Sequence, residues 1–193
     1  MNDFSLWFTT GLQHILDLNG YDHICYVTAL TVMYPPQEWK KLLVLVTAFT
    51  IGHSLTLALS VTNVISPKQG LIECLIPITI IATCLYNLFT AKNPPKRVSV
   101  TYILALTFGF IHGMGFSYLL KSLLGREENL VGPLFSFNTG LEAGQLVIVS
   151  CVLLISVILQ RFTKLERKHY SLAVSSAVCV IATVLLIQRI NEL

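Results

Sequence analysis

Six stretches of this chain, residues 12–34, 42–61, 71–90, 98–120, 134–159 and 172–190, are apolar over close to the length that carries a helix across a bilayer, about 20 residues. They are rich in Leu, Ile, Val, Ala and Thr, without the roughly ten-residue alternation that marks membrane β-strands. The pattern predicts an all-α, polytopic membrane helical bundle of about six transmembrane helices. The first stretch closes at Pro35-Pro36, where tandem prolines stop a helix, and residues 4–8 before it are expected at the interface. Short connections join all six, so residues 1–193 read as a single transmembrane domain.

Composition supports the same class. Hydrophobic residues make up 54% of the chain and charged residues 12%, against about 25% charged in soluble domains. A net charge of +3 needs no nucleic acid to explain it, because a basic excess in the connections accompanies membrane insertion. Nine cations (Lys40, Lys41, Lys92, Lys96, Arg97, Arg161, Lys164, Arg167, Lys168) fall on one side of the predicted topology, and four (Lys68, Lys121, Arg126, Arg189) on the other. The positive-inside rule then places both termini outside, which in a bacterial cytoplasmic (inner) membrane is the periplasmic face. The five cysteines are scattered singly with no CxxC spacing, so they read as small packing residues. The N-terminus has no basic leader region, and its first apolar segment carries His14 and Asp17, which argues against a cleaved signal peptide.

Polar residues inside these spans are where chemistry is expected, because an ionisable group in the membrane persists when it pairs, binds a cation or lines a polar cavity. The stretch from Gly11 to His23 holds two histidines and two carboxylates. Asp22 and His23, with His14, are candidate ligands for a divalent metal. His14 precedes His23 by nine residues, which puts them on opposite faces of an unbroken helix, so joint binding requires a break at Asn19-Gly20. The second span offers His53 beside Thr47, Thr50 and Ser54, and the fourth offers His112 among Gly109, Gly113 and Gly115. In the fifth, Asn138, Glu142 and Gln145 share a face at i, i+4, i+7.

Helical rise places these groups in depth. His23, His53 and His112 lie about 16, 17 and 20 Å from the cytoplasmic ends of their spans, and Glu142 about 12 Å below the outer end of its own. All four therefore reach one level, slightly outside the midplane. Expected ligands are His14, Asp22, His23, His53, His112 and Glu142, with Asp17, Ser54, Asn138 and Gln145 as supporting or pathway residues. Asp17 and Glu73, near the outer surface, would attract cations, and His169 beside Arg167 and Lys168 is a solvated loop residue. The plain alternative is that each histidine hydrogen-bonds across helices, and that Glu142 is protonated and bonded to Asn138 or Gln145.

Imidazole with carboxylate suits nickel, cobalt, zinc or copper better than magnesium or calcium, and the lack of clustered thiolates argues against copper(I). No nucleotide site, serine elbow or nucleic-acid surface is present in the sequence. Two readings fit the residues. One is a permease for a divalent transition metal. The other is an intramembrane zinc-dependent hydrolase acting on a lipid or lipid-linked substrate, with three histidines, an open position for water and Asp22 or Glu142 as base. Three histidines and a carboxylate suit the enzyme, since a permease needs donors weak enough to release the ion.

Four segments taken in order, His14-Ile15-Leu16 with Gly20-Tyr21-Asp22-His23, Thr47 to Ser54, Phe108 to Phe116 and Phe137 to Gln145, resemble the HupE/UreJ family of small bacterial membrane proteins. The resemblance implies a nickel or cobalt permease accessory to hydrogenase or urease, and favours the first reading. Asp22-His23 is also similar to the His-x4-Asp-His signature of the wider nickel/cobalt transporters, although seven residues rather than four separate His14 from Asp22. The expected partners are the bilayer and the metal ion, and a homo-oligomer is compatible with both. One internal echo, Phe49-x3-His53 against Phe108-x3-His112, is too short to establish a duplicated fold.

Overall fold

The computed structural model describes residues 3–66, 68–91, 99–124, 130–163 and 166–192. Every regular element among them is helical: α1 (Asp3–Leu16), α2 (Asp22–Thr31), a 3-10 turn (Pro36–Glu38), α3 (Trp39–Val61), α4 (Gln69–Thr90), α5 (Ser99–Leu124), α6 (Val131–Thr163) and α7 (Arg167–Asn191). Helices α3 to α7 account for five segments long and apolar enough to cross a membrane, matching the second to sixth predicted spans within a few residues. Lys92, Lys96, Arg97, Val98, Arg126 and Lys164, used in the sequence reading, lie outside the described residues.

The first predicted span differs. It is not one helix over residues 12–34 but two short ones, of 14 and 10 residues, roughly 21 and 15 Å long, and residues 4–8 belong to the first. The interruption is built from local polar chemistry. Asp17 Oδ1 accepts hydrogen bonds from the Asn19 backbone N–H at 2.9 Å and from its Nδ2 at 3.2 Å. This side-chain turn competes with the helical ladder. Asp22 Oδ1 then accepts the His23 backbone N–H at 2.8 Å, in the first turn of α2.

Despite the break, α1 and α2 descend the bundle in the same direction. Helix α1 runs parallel to α6: Ser136 Oγ donates to the Phe4 carbonyl, and Gly11 and Gly144 face Phe137 and Ile15. Helix α2 runs antiparallel to α5, with ring centroids 4.2 Å apart for His23 and His112 and 3.4 Å for Tyr26 and Phe108. Below them the Tyr34 hydroxyl donates to Thr101 Oγ1 at 2.9 Å. This is the Tyr34 end of the bundle, where α5 and α7 begin. At the other, the Gln69 end, Lys121 Nζ donates to Asn63 Oδ1 at 2.8 Å.

Two helix pairs approach at backbone distance. A Cβ on Gly109 would overlap the Phe49 carbonyl, and one on Gly52 the Leu106 carbonyl, which clamps α3 to α5. Gly11 and Gly140 do the same between α1 and α6, against the carbonyls of Phe137 and Phe8. Lipid supplies no hydrophobic drive between helices, so such close packing is a main source of their association. Around the clamps Tyr26, Phe49, Phe108 and Phe137 are fully buried, and this aromatic layer fixes the position of the histidines.

Candidate metal centre

Four helical segments each deliver one imidazole. His14 comes from the last turn of α1, His23 from the first turn of α2, His53 from α3 and His112 from α5. His14 and His23 have ring centroids 4.6 Å apart, His23 and His112 4.2 Å, and His14 and His53 6.2 Å. The rings of His53 and His112 are packed by Phe137 and Phe108, at 6.1 and 3.9 Å between centroids. His14 reaches the group because the break at 17–21 turns α2 back beneath α1, the condition that the spacing between His14 and His23 imposes.

Asp22 organises the centre. Its Oδ1 lies 2.9 Å from His23 Nδ1, so when that nitrogen carries the ring proton the Nε2 lone pair is left facing the cluster. Its Oδ2 is 3.5 Å from His112 Nε2. Asp22, His23 and His112 each present a donor atom, all within 4.8 Å of one another. Exposure of His23, His53 and His112 is 5%, 0% and 2%. Yet His14 Nε2, His23 Nε2 and both ring nitrogens of His53 and His112 are buried without a hydrogen-bond partner. Each such atom costs about 1–3 kcal/mol when nothing satisfies it, and because an imidazole presents one lone pair to a given cation, one nitrogen from each ring is chemically suited to a Lewis acid.

A cavity of about 330 Å³ opens onto this group, lined among others by Asp17, Asp22, Glu73 and Arg189. It extends from Gln69 at the bundle end down to His14, His23 and His112. Arg189 was visible in the sequence only as a topological charge. In the fold its Nη1 lies 3.5 Å from Glu73 Oε2 and 2.8 Å from Glu192 Oε2, at the cavity mouth. Its place near the end of an apolar span, three residues before Glu192, is the signal that could have singled it out. Phe116, whose ring sits 3.9 Å from that of His14, gave no such signal.

The α6 residues stand to one side. Glu142 Oε1 accepts the Thr47 hydroxyl at 2.7 Å, and Glu142 is not part of the three-residue donor group. Gln145 Oε1 accepts from Thr50 at 3.1 Å, Asn138 Nδ2 donates to the Leu134 carbonyl at 2.7 Å, and Ser54 Oγ donates to the Thr50 carbonyl at 2.6 Å. These groups form a polar seam between α3 and α6 beside His53, whereas Asp17 lines the cavity itself.

A bundle of membrane-length helices that brings together four histidines, three of them buried, with a carboxylate beside two of the rings defines a multi-pass membrane protein with an intramembrane histidine–carboxylate centre. The family described as HupE / UreJ protein matches residues 1–189, nearly the whole chain, and the chain belongs to that family. No curated protein and no solved structure matches it.

Proposed function

We propose that the protein is a permease that carries a divalent transition metal ion of the nickel or cobalt class across the bacterial cytoplasmic membrane. The observation that supports this reading is the set of unsatisfied imidazole nitrogens of His14, His23 and His112, gathered with Asp22 at the floor of a cavity that opens at one end of the bundle, with the His53 ring 6.2 Å from that of His14. The cation is drawn to the mouth by Asp17 and Glu73 and exchanges part of its water for Asp22, His23 and His112. Three donors leave room for retained water, which keeps the ion exchangeable. Lys40, Lys41, Arg161, Arg167 and Lys168 belong to the Tyr34 end and Lys68, Lys121 and Arg189 to the Gln69 end, so the cavity and both termini face outward.

The zinc hydrolase reading draws on the same histidines, and one preparation separates the two. Purified protein in proteoliposomes should bind nickel or cobalt reversibly and accumulate the radioactive ion, and His112→Ala should abolish accumulation. Zinc that stays stoichiometric through dialysis, with no ion uptake, would refute the permease.

A further inference from the structure

We propose that Asn87 closes the cation route at the Tyr34 end, as a gate opened by exchange between two inverted halves of the chain. This rests on the permease reading above.

The halves are residues 3–91 and 99–192, and their equivalence is visible in the glycine clamps. Phe8, Gly11, His14 and Ile15 of α1 stand at the same spacing as Leu106, Gly109, His112 and Gly113 of α5. Phe49, Gly52 and Thr56 of α3 stand at the same spacing as Phe137, Gly140 and Gly144 of α6. Contacts follow this correspondence. Gly11 meets the Phe137 carbonyl as Gly109 meets that of Phe49; Gly140 meets the Phe8 carbonyl as Gly52 meets that of Leu106; Ile15 meets Gly144 as Gly113 meets Thr56. Helices α1 and α6 run away from the Gln69 end, and α3 and α5 run toward it. The operation relating the pairs is therefore a two-fold axis in the membrane plane, under which α4 and α7 exchange. Their antiparallel pairing, with Glu73 near Arg189 and Asn87 near Ser175, is what that axis requires. His14 and His112 are thus equivalent positions, whereas His53 corresponds to Leu141.

An inverted repeat with one open cavity implies a second, closed one at the opposite end, because alternating access swaps the conformations of the halves. The open cavity lies between the start of α4, the end of α7 and the later turns of α5. Its counterpart lies between the start of α7, the end of α4 and α2, and there, among the described residues, buried polar contacts tie the three helices together. Asn87, 1% exposed, donates through Nδ2 to the Ala29 carbonyl at 2.7 Å and to Ser175 Oγ at 3.2 Å, tying α4 to both α2 and α7. Its Oδ1 is buried with no hydrogen-bond partner, a hard oxygen available to a passing cation. One contact further along, Ser171 Oγ lies 3.3 Å from Met33 Sδ. Between this seal and Asp22, about one helical turn from Ala29, Asn87 and Ser175, come Cys25, Cys84 and Cys179. The route to the Tyr34 end therefore passes beside three thiols, of which Cys25 and Cys84 are buried while Asn87 holds.

Those thiols report on the gate. In a chain keeping Cys84 alone, the other four cysteines replaced by alanine, a membrane-impermeant maleimide applied from the Tyr34 side should label slowly. Asn87→Ala should raise the labelling rate at least several-fold. A second measurement leaves Asn87 intact: Met33→Cys with Ser171→Cys in a cysteine-free chain, joined by a short cleavable thiol cross-linker. Cross-linking should cut nickel uptake at least tenfold while nickel still binds from the Gln69 side, and cleaving the linker should restore uptake. Undiminished uptake in fully cross-linked protein overturns the gate and leaves the permease standing. A cysteine-free parent that neither binds nor accumulates the ion, in line with wild type, overturns the permease reading and the gate with it.

Discussion

Replacing Asp22 by asparagine tests the centre most directly, because the substitution keeps shape and removes two things the carboxylate does. Oδ1 lies 2.9 Å from His23 Nδ1 and receives the backbone N–H of the same residue at 2.8 Å, contacts that an amide oxygen can retain. Oδ2 lies 3.5 Å from His112 Nε2, and in asparagine that position becomes an NH2 group. The amide nitrogen cannot ligate a cation, and its hydrogens compete for the lone pair of His112. Loss of an orienting carboxylate alone lowers metal affinity by about 10–100-fold. Removing a negative donor as well places the expected loss at the upper end, about 100-fold, or about 2.8 kcal/mol. Equilibrium dialysis or calorimetry with nickel on purified Asp22→Asn protein reads this directly, and an unchanged thermal unfolding profile shows that the fold has been kept. An affinity within threefold of wild type would show that Asp22 is a helix-start residue with no part in binding, and the argument from converging donors would fail.

Other expectations follow from the same geometry. Glu142→Gln should leave nickel affinity within about threefold, because Glu142 bonds Thr47 and lies outside the donor group; a loss as large as that of Asp22→Asn in the same titration would place it in the centre. Gly140→Val should destabilise the bundle by at least about 1–3 kcal/mol, the usual cost of overpacking, since a side chain there meets the Phe8 carbonyl; unfolding in graded detergent checks this, and an unchanged midpoint would contradict the close approach of α1 and α6. Arg189→Ala removes the cation 3.5 Å from Glu73 and should speed metal association several-fold at low ionic strength, with the gain disappearing in high salt; stopped-flow binding at two salt concentrations reads it, and a salt-independent rate would remove Arg189 from the mouth.

Sequence by itself determined the class of molecule and gave an expected depth for its polar groups. The bilayer permits few solutions, so apolar runs of about 20 residues locate helices, and α3 to α7 lie where those runs do. Counting residues along a helix gives height, which is why His23, His53 and His112 could be assigned to one level before any packing was known. Azimuth could not be read in this way. How far a helix rotates about its own axis depends on which neighbour it packs against, and that is set by contacts such as Gly109 on Phe49 and Gly11 on Phe137, between residues far apart in the chain. Glu142, which the same count sets at the height of the histidines, accepts the Thr47 hydroxyl instead. The break at Asp17 and Asn19 lay within reach of sequence, since Asp, Asn and Gly favour turns, but only the tertiary structure places α2 back beneath α1 and so brings His14 onto His23. The same holds for the internal echo: Phe49-x3-His53 against Phe108-x3-His112 was too short to establish a duplication, and it is the reciprocal carbonyl contacts across the bundle that pair His14 with His112 in the repeat proposed above.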